Sequence, residues 1–266
     1  MPLLDFDPEH IIVSLTDGIL SVVLNRPEKR NAMTAQMIAE IIYTLDGAIN
    51  DASIRVIVLS GAERGFCPGD DLAGMGDVPA HLLVQASVPV THAGLQQLIR
   101  ELPKPVIASM HGYAFGVGLD LAMACDFRIV SDDIILQDQR VMARGMHALT
   151  GCAWFHPRMM GVTRAMEFLI LGEPIDAKTA MTVGMVPKCC PADKLTNVTA
   201  ELAGRLATAP TKAIGLMKHQ IVKGLRMDHA EFMSYVAPLM QTVTIQDREE
   251  GIAAFLEKRP PVFTGE

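Results

Sequence analysis

The chain has 266 residues, 50% of them hydrophobic and 20% charged, with 17 Met and only 5% aromatics. That balance excludes a disordered tail and predicts one large aliphatic core, or one domain with a smaller appendage. The formal net charge of −7, from 23 basic and 30 acidic residues, argues against a nucleic-acid binder.

The first residues, MPLLDFDPEH, carry acids where a secretion signal needs bases. No uncharged apolar run approaches membrane-spanning length. Ile11 to Leu15 and Ile19 to Asn25 flank Thr16-Asp17-Gly18 and predict a β-hairpin, because Asp and Gly tolerate positive φ. Arg26 to Asn31 is a polar loop. Thr34 is the candidate N-cap of a helix whose apolar positions are Ile38, Ile41, Ile42, Leu45 and Ile49, a helical stripe. Ile54 to Ser60 is almost wholly apolar and β-branched, as in a parallel strand covered on both faces.

The same alternation then recurs. A Gly-rich loop, Gly65 to Asp71, leads through a mixed stretch to a helical pattern over Thr91 to Leu102, ended by Pro103 and Pro105. A strand over Val106 to Met110 feeds Gly112 to Gly118, then a short helix over Leu119 to Ala124, then a strand over Phe127 to Val130. Strand and helix in alternation predict an α/β fold with right-handed crossovers on a mostly parallel sheet. Beyond residue 195 the pattern is helical only, so the division falls at 1–195 and 196–266. The five cysteines lack framework spacing and read as reduced thiols of a cytoplasmic protein. No metal or phosphate-loop motif is present in the sequence, so no metal is expected.

Two glycine-rich loops follow buried strands. Such a loop opening a helix presents unpaired N–H groups at the positive dipole end, where an oxyanion can be held. Each loop alone also reads as a tight βα turn. Gly116-Val117-Gly118 opens like a dinucleotide fingerprint, but its third glycine position is Leu121, which argues against that site.

Several of these segments together resemble the crotonase superfamily, the enoyl-CoA hydratase/isomerase family. They are Asn25 to Ala32, Gly65 to Leu72, Lys104 to Ala108 with His111 to Leu121, and Ala122 to Ile129. Leu171 to Ile175 and Phe255 to Pro260 extend the likeness over nearly the whole chain. The resemblance implies a spiral of ββα repeats with a C-terminal helical region, as a homotrimer or a dimer of trimers. It implies an acyl-CoA substrate, with CoA as part of the substrate and no separate cofactor, and no nucleic-acid or membrane partner. The backbone amides that would hold the thioester oxygen fall on Asp70 and Val117. CoA contacts fall on Arg26, Lys29, Arg30 and Ala32, on Pro68, Gly69, Asp71 and Leu72, and on Phe255 and Lys258, the last two toward a neighbouring subunit. Read locally, Arg26, Lys29 and Arg30 are a solvated loop.

Of the two Glu residues that hydratases of the family use, the first falls on Asp120 and the second on Arg140. An arginine cannot serve as a base at neutral pH. Asp138 is a candidate replacement, or else a partner for Arg140 or Arg144. Asp120 read alone is an acid in a first helical turn, packed against Arg128 or Arg144. His147 is a candidate base facing the acyl pocket. Trp154 reads as core or pocket lining, and nothing beside Cys67 suggests an activated thiolate. The expected activity is enoyl-CoA hydration. The alternatives are another crotonase reaction (isomerisation, or thioester or C–C hydrolysis) and a non-catalytic acyl-CoA-binding oligomer.

Overall fold

The computed structural model describes residues 7–242 and 245–266; the rest of the acidic N-terminal segment, residues 1–6, lies outside them. Strands β1 (Ile11–Thr16) and β2 (Ile19–Leu24) pair antiparallel. Between them Asp17 and Gly18 take φ of 50° and 77°, the left-handed conformation that an Asp-Gly hairpin turn requires. Helix α1 (Ala35–Ala48) starts where Thr34 accepts a hydrogen bond from the Met37 amide at 3.1 Å. Its predicted stripe of Ile38, Ile41, Ile42 and Leu45 is fully buried, each side chain contributing about 1.5–3 kcal/mol by leaving water.

Next come β3 (Val56–Gly61), α2 (Ala80–Gln85), α3 (His92–Glu101), β4 (Val106–Met110), β5 (Tyr113–Phe115), α4 (Gly116–Ala124) and β6 (Phe127–Ser131). The segment after them holds β7 (Ile135–Gln137), α5 (Val141–Arg144), α6 (Cys152–Met160), α7 (Val162–Met166), β8 (Ile175–Asp176), α8 (Ala177–Thr182) and β9 (Lys188–Cys190). The last helices are α9 (Leu195–Ala207), α10 (Thr211–Gly224), α11 (His229–Thr242) and α12 (Asp247–Glu257).

The main sheet runs β1-β2-β3-β4-β6-β9, parallel throughout except for the hairpin. The smaller sheet runs β5-β7-β8, the first pair parallel and the second antiparallel. One face of the main sheet packs on α1, α3 and α4. On the other face Val56, Val58, Ile107 and Ile129 pack on Leu195, Ala203 and Ala207 of α9. The helical region beyond 195 therefore begins with a helix that covers the sheet. The five cysteines are all free, as expected for reduced thiols. Among the described residues no helix is long and apolar enough to cross a membrane.

Lys218 of α10 enters this packing as a buried ammonium. It donates to the Ile99 and Lys104 carbonyls at 2.7 and 3.1 Å and meets Asp126 at 2.8 Å. Two backbone acceptors and a carboxylate meet its hydrogen-bonding needs and fix α10 against α3 and β4.

Candidate active site

The first glycine-rich loop is stitched on both sides. Asn31 donates to the Ala62 and Gly65 carbonyls, both at 2.9 Å, and so holds the loop against the polar turn before α1. Cys67 bridges to Ala114 on the flank facing β5, while Asp70 bridges to Met33 on the other. In the second bridge Met33 bonds the Gly69 carbonyl and the Asp71 amide, both at 2.9 Å. That pattern turns the amide of Asp70 itself away from Met33. The loop lies against the N-terminus of α4 at Gly69. Gly69, at φ 104°, lies so close that an added Cβ would stand 3.3 Å from the Phe115 carbonyl oxygen and 3.8 Å from the Val117 nitrogen.

Val117 is the second residue of α4, where an amide has no intrahelical acceptor. Gly116, at φ 49°, makes the sharp passage from β5 into the helix. Helix α4 thus begins at Gly116, earlier than the predicted Leu119. The glycines that read as loop residues form its first turn. Among the described residues no protein acceptor takes the amide of Asp70 or of Val117. Both residues line one narrow cleft, together with Pro68, Leu72, Arg140 and Arg144.

Gly118 faces Cys67, and a Cβ there would lie 2.6 Å from the Cys67 Cβ and Sγ. Gly118→Ala is expected to push α4 off the loop and cost about 1–3 kcal/mol, read as a lower urea midpoint at unchanged m-value. Burial pushes the Cys67 thiol up to about 12, so it stays neutral and is no nucleophile.

Asp120, in the first turns of α4, is fully buried. Its expected partners, Arg128 and Arg144, are elsewhere. Arg128 donates to the Met185 and Cys125 carbonyls, and Arg144 to the Gln139 carbonyl. Arg140 instead reaches Asp120 Oδ2 at 2.9 Å, and Thr150 donates to the same oxygen. The other edge of the Arg140 guanidinium is held by Asp138, through Nε at 3.0 and 3.1 Å and through Nη2. Asp138 is therefore the partner of Arg140, one of its two sequence readings, and its carboxylate is committed.

This leaves Asp120 Oδ1 buried without a hydrogen-bond partner. Burial raises the Asp120 pKa above the ordinary carboxylate value, opposed by Arg140 and Thr150. His156 of α6, also fully buried, stands in the same electrostatic cluster. Its Nδ1 lies 2.9 Å from the Cys152 carbonyl, which only accepts, so Nδ1 carries the proton. Burial lowers its pKa and keeps the ring neutral, so Arg140 is the cation that faces Asp120.

Beside Arg140 opens an apolar cavity of about 350 Å³, lined by Val141, His147, Ala148, Pro157, Met166 and Ile170. His147 lines this cavity. Trp154 packs against the core rather than lining the cavity, with the Arg100 and Arg158 guanidinium groups 4.3 and 4.2 Å from its ring centre. Cleft and cavity share Arg140.

The predicted CoA-contact residues divide. Arg26 turns inward, donating to the Ala32 carbonyl at 2.8 Å and to Asp71 at 3.1 Å, which lowers the Asp71 pKa. Its role in the structure is to clamp the two loops together. Lys29 and Arg30 stay exposed beside them, and Ala32 is buried. Phe255 and Lys258 are exposed at the end of α12 and line neither cleft nor cavity. Thr150, His156 and His92 carry no local sequence signal for this site; they join it only through long-range packing.

The profile of the enoyl-CoA hydratase/isomerase family matches residues 14–266. The 1,2-epoxyphenylacetyl-CoA isomerase of Escherichia coli (strain K12) is 31% identical, over 97% of this chain and 99% of its own. The mitochondrial enoyl-CoA hydratase domain-containing protein 2 of Mus musculus is 34% identical, over 97% of this chain and 89% of its own. The crystal structure of enoyl-CoA hydratase from Bacillus anthracis superposes with a TM-score of 0.86 at 30% identity, covering 97% of this chain and 100% of that one.

Proposed function

The chain belongs to the enoyl-CoA hydratase/isomerase family of the crotonase superfamily, and from that premise we propose an acyl-CoA enzyme in which Asp120 carries the proton and the amides of Asp70 and Val117 hold the thioester oxygen. The observation behind this reading is the unequal fate of the two carboxylates. Both Asp138 oxygens accept from Arg140, while Asp120 keeps one oxygen without a partner. One free carboxylate oxygen suits a 1,3-proton shift. Oδ1 takes a proton from the α-carbon of a 3-enoyl-CoA. The electrons pass into the C=O, and the dienolate oxygen rests on the two amides. The same proton returns at the γ-carbon, leaving the double bond between α and β.

Hydration is the second reading. It needs a group that orients water, and His147 on the cavity wall is the group that favours it. The apolar cavity receives the acyl chain in both readings. Lys29 and Arg30 supply the surface cations for the CoA phosphates. The exposed Phe255 and Leu256 of α12 support assembly into a homo-oligomer.

Incubation with 3-enoyl-CoA and 2-enoyl-CoA esters of several chain lengths separates the readings. Isomerisation predicts growth of the conjugated-thioester absorbance from the 3-enoyl esters. Faster water addition to crotonyl-CoA or its longer relatives would give hydration first place. Binding without turnover of any ester would leave an acyl-CoA-binding oligomer.

A further inference from the structure

Arg100, in the last turn of α3, is half-buried, and its Nη2 is sealed from water without a hydrogen-bond partner. The guanidinium rests on aromatic rings instead, 4.3 Å from the Trp154 centre and 5.4 Å from that of Phe155. Ring faces attract a cation and fix it in place, but they leave its N–H donors without a true acceptor. Neither nearby acid makes up the deficit. Glu101 meets Lys223 at 3.9 Å, and Asp126 meets Lys218 at 2.8 Å while accepting the Val106 amide.

Further cations gather at the same place. Arg158 of α6 lies 4.2 Å from the same indole centre, and its side chain donates to the Trp154 carbonyl at 3.0 Å. Arg226, just beyond the end of α10, also acts on Arg100; burial, Arg226 and Arg158 all lower the Arg100 pKa, against Asp126 and Glu101. Both Arg158 and Arg226 are exposed, so their long side chains are free to close on a ligand. On a chain of net charge −7 this is a local excess of positive charge around an unsatisfied donor. Such a grouping is costly until an anion neutralises it. A phosphate-type oxyanion suits the donors best. It offers several acceptor oxygens at once, which planar guanidinium groups match and a halide cannot supply.

We propose that Arg100, Arg158 and Arg226 form a binding site for a phosphate-type oxyanion where α3, α6 and the end of α10 meet. None of the three lines the catalytic cleft or the apolar cavity. The site is therefore additional to the proposed reaction, and it stands or falls independently of it.

Trp154 is the only tryptophan of the chain, so its emission reports on this site alone. The test titrates the whole chain with inorganic phosphate, and in parallel with sodium chloride at matched ionic strength. Phosphate is expected to change the emission saturably at millimolar concentration or below, and chloride is not. Arg226→Gln is expected to raise the half-saturating phosphate about three- to ten-fold, and Arg100→Gln to abolish saturation. The melting temperature of the native chain should rise with phosphate by mass action, and that of R100Q should not. A native chain whose emission does not saturate, or responds equally to chloride, overturns the inference. So does an R226Q variant with the native half-saturation. That comparison replaces an exposed side chain, so it does not depend on R100Q folding.

Discussion

Replacing Asp120 by Asn is expected to lower kcat by about 10³–10⁴-fold, near the upper end of what a positioned acid/base contributes. The substitution keeps the size of the side chain and leaves Oδ1 an amide or carbonyl group that cannot exchange a proton. Thr150 and Asp138 still hold Arg140. Acyl-CoA affinity is expected to stay within a few-fold, measured by calorimetry, since the proposed CoA contacts lie elsewhere. The pH profile carries the same claim. In the proposed mechanism the working form is the carboxylate, and burial raises its pKa. The rate should therefore rise with pH through a limb placed above the ordinary carboxylate value. The sign for stability is opposite. An acid whose folded pKa is raised holds more protons folded than unfolded, so its contribution to stability falls as pH rises through that window. Asp120→Asn removes that dependence. The melting temperature against pH, measured on both proteins, checks it.

Val117→Pro tests the other half of the site. Proline is tolerated in the first turn of a helix, where its missing N–H has no helical partner to lose. Val117 is the second residue of α4, so the helix is expected to persist. What disappears is one of the two amides proposed to hold the thioester oxygen. Loss of one oxyanion donor costs about 10²–10³-fold in kcat, roughly 3–4 kcal/mol of barrier. KM should change little, because the amide matters most when negative charge has built on the thioester oxygen. A variant equal to the native chain would remove Val117 from the mechanism.

The elements most legible in the sequence were those with strong local chemistry. Asp17-Gly18 marks the hairpin because left-handed φ is written into the residue types. The α1 stripe is legible because four buried residues repeat at helical spacing. Strands β7, β8 and β9 were not legible. Each has two or three residues, too few to establish a period, and each owes its strand character to pairing with distant partners. The start of α4 shifted because glycine reads as a helix breaker. At Gly116 and Gly118 the close approach to the loop outweighs propensity.

The site divides along the same line. Asp138 and Arg140 are two residues apart, and their pairing was open to a local reading. Asp120 and Arg140 meet only after β6, β7 and the turn before α5 bring them together. Thr150 reaches Asp120 from the far end of the segment that follows α5. His92 reaches Asp70 from another helix. Charge complementarity in the sequence says which pairs are possible, and the topology decides which of them form.

A crystal structure of the chain with an unreactive CoA thioester analogue tests the central claim most directly. The thioester oxygen, or the atom that stands in for it, is expected within about 3.1 Å of both the Asp70 and the Val117 nitrogens. Asp120 Oδ1 should then be the carboxylate oxygen nearest the α-carbon. An analogue whose oxygen meets neither amide, or whose α-carbon is turned away from Asp120 with Arg140 between them, would contradict the account.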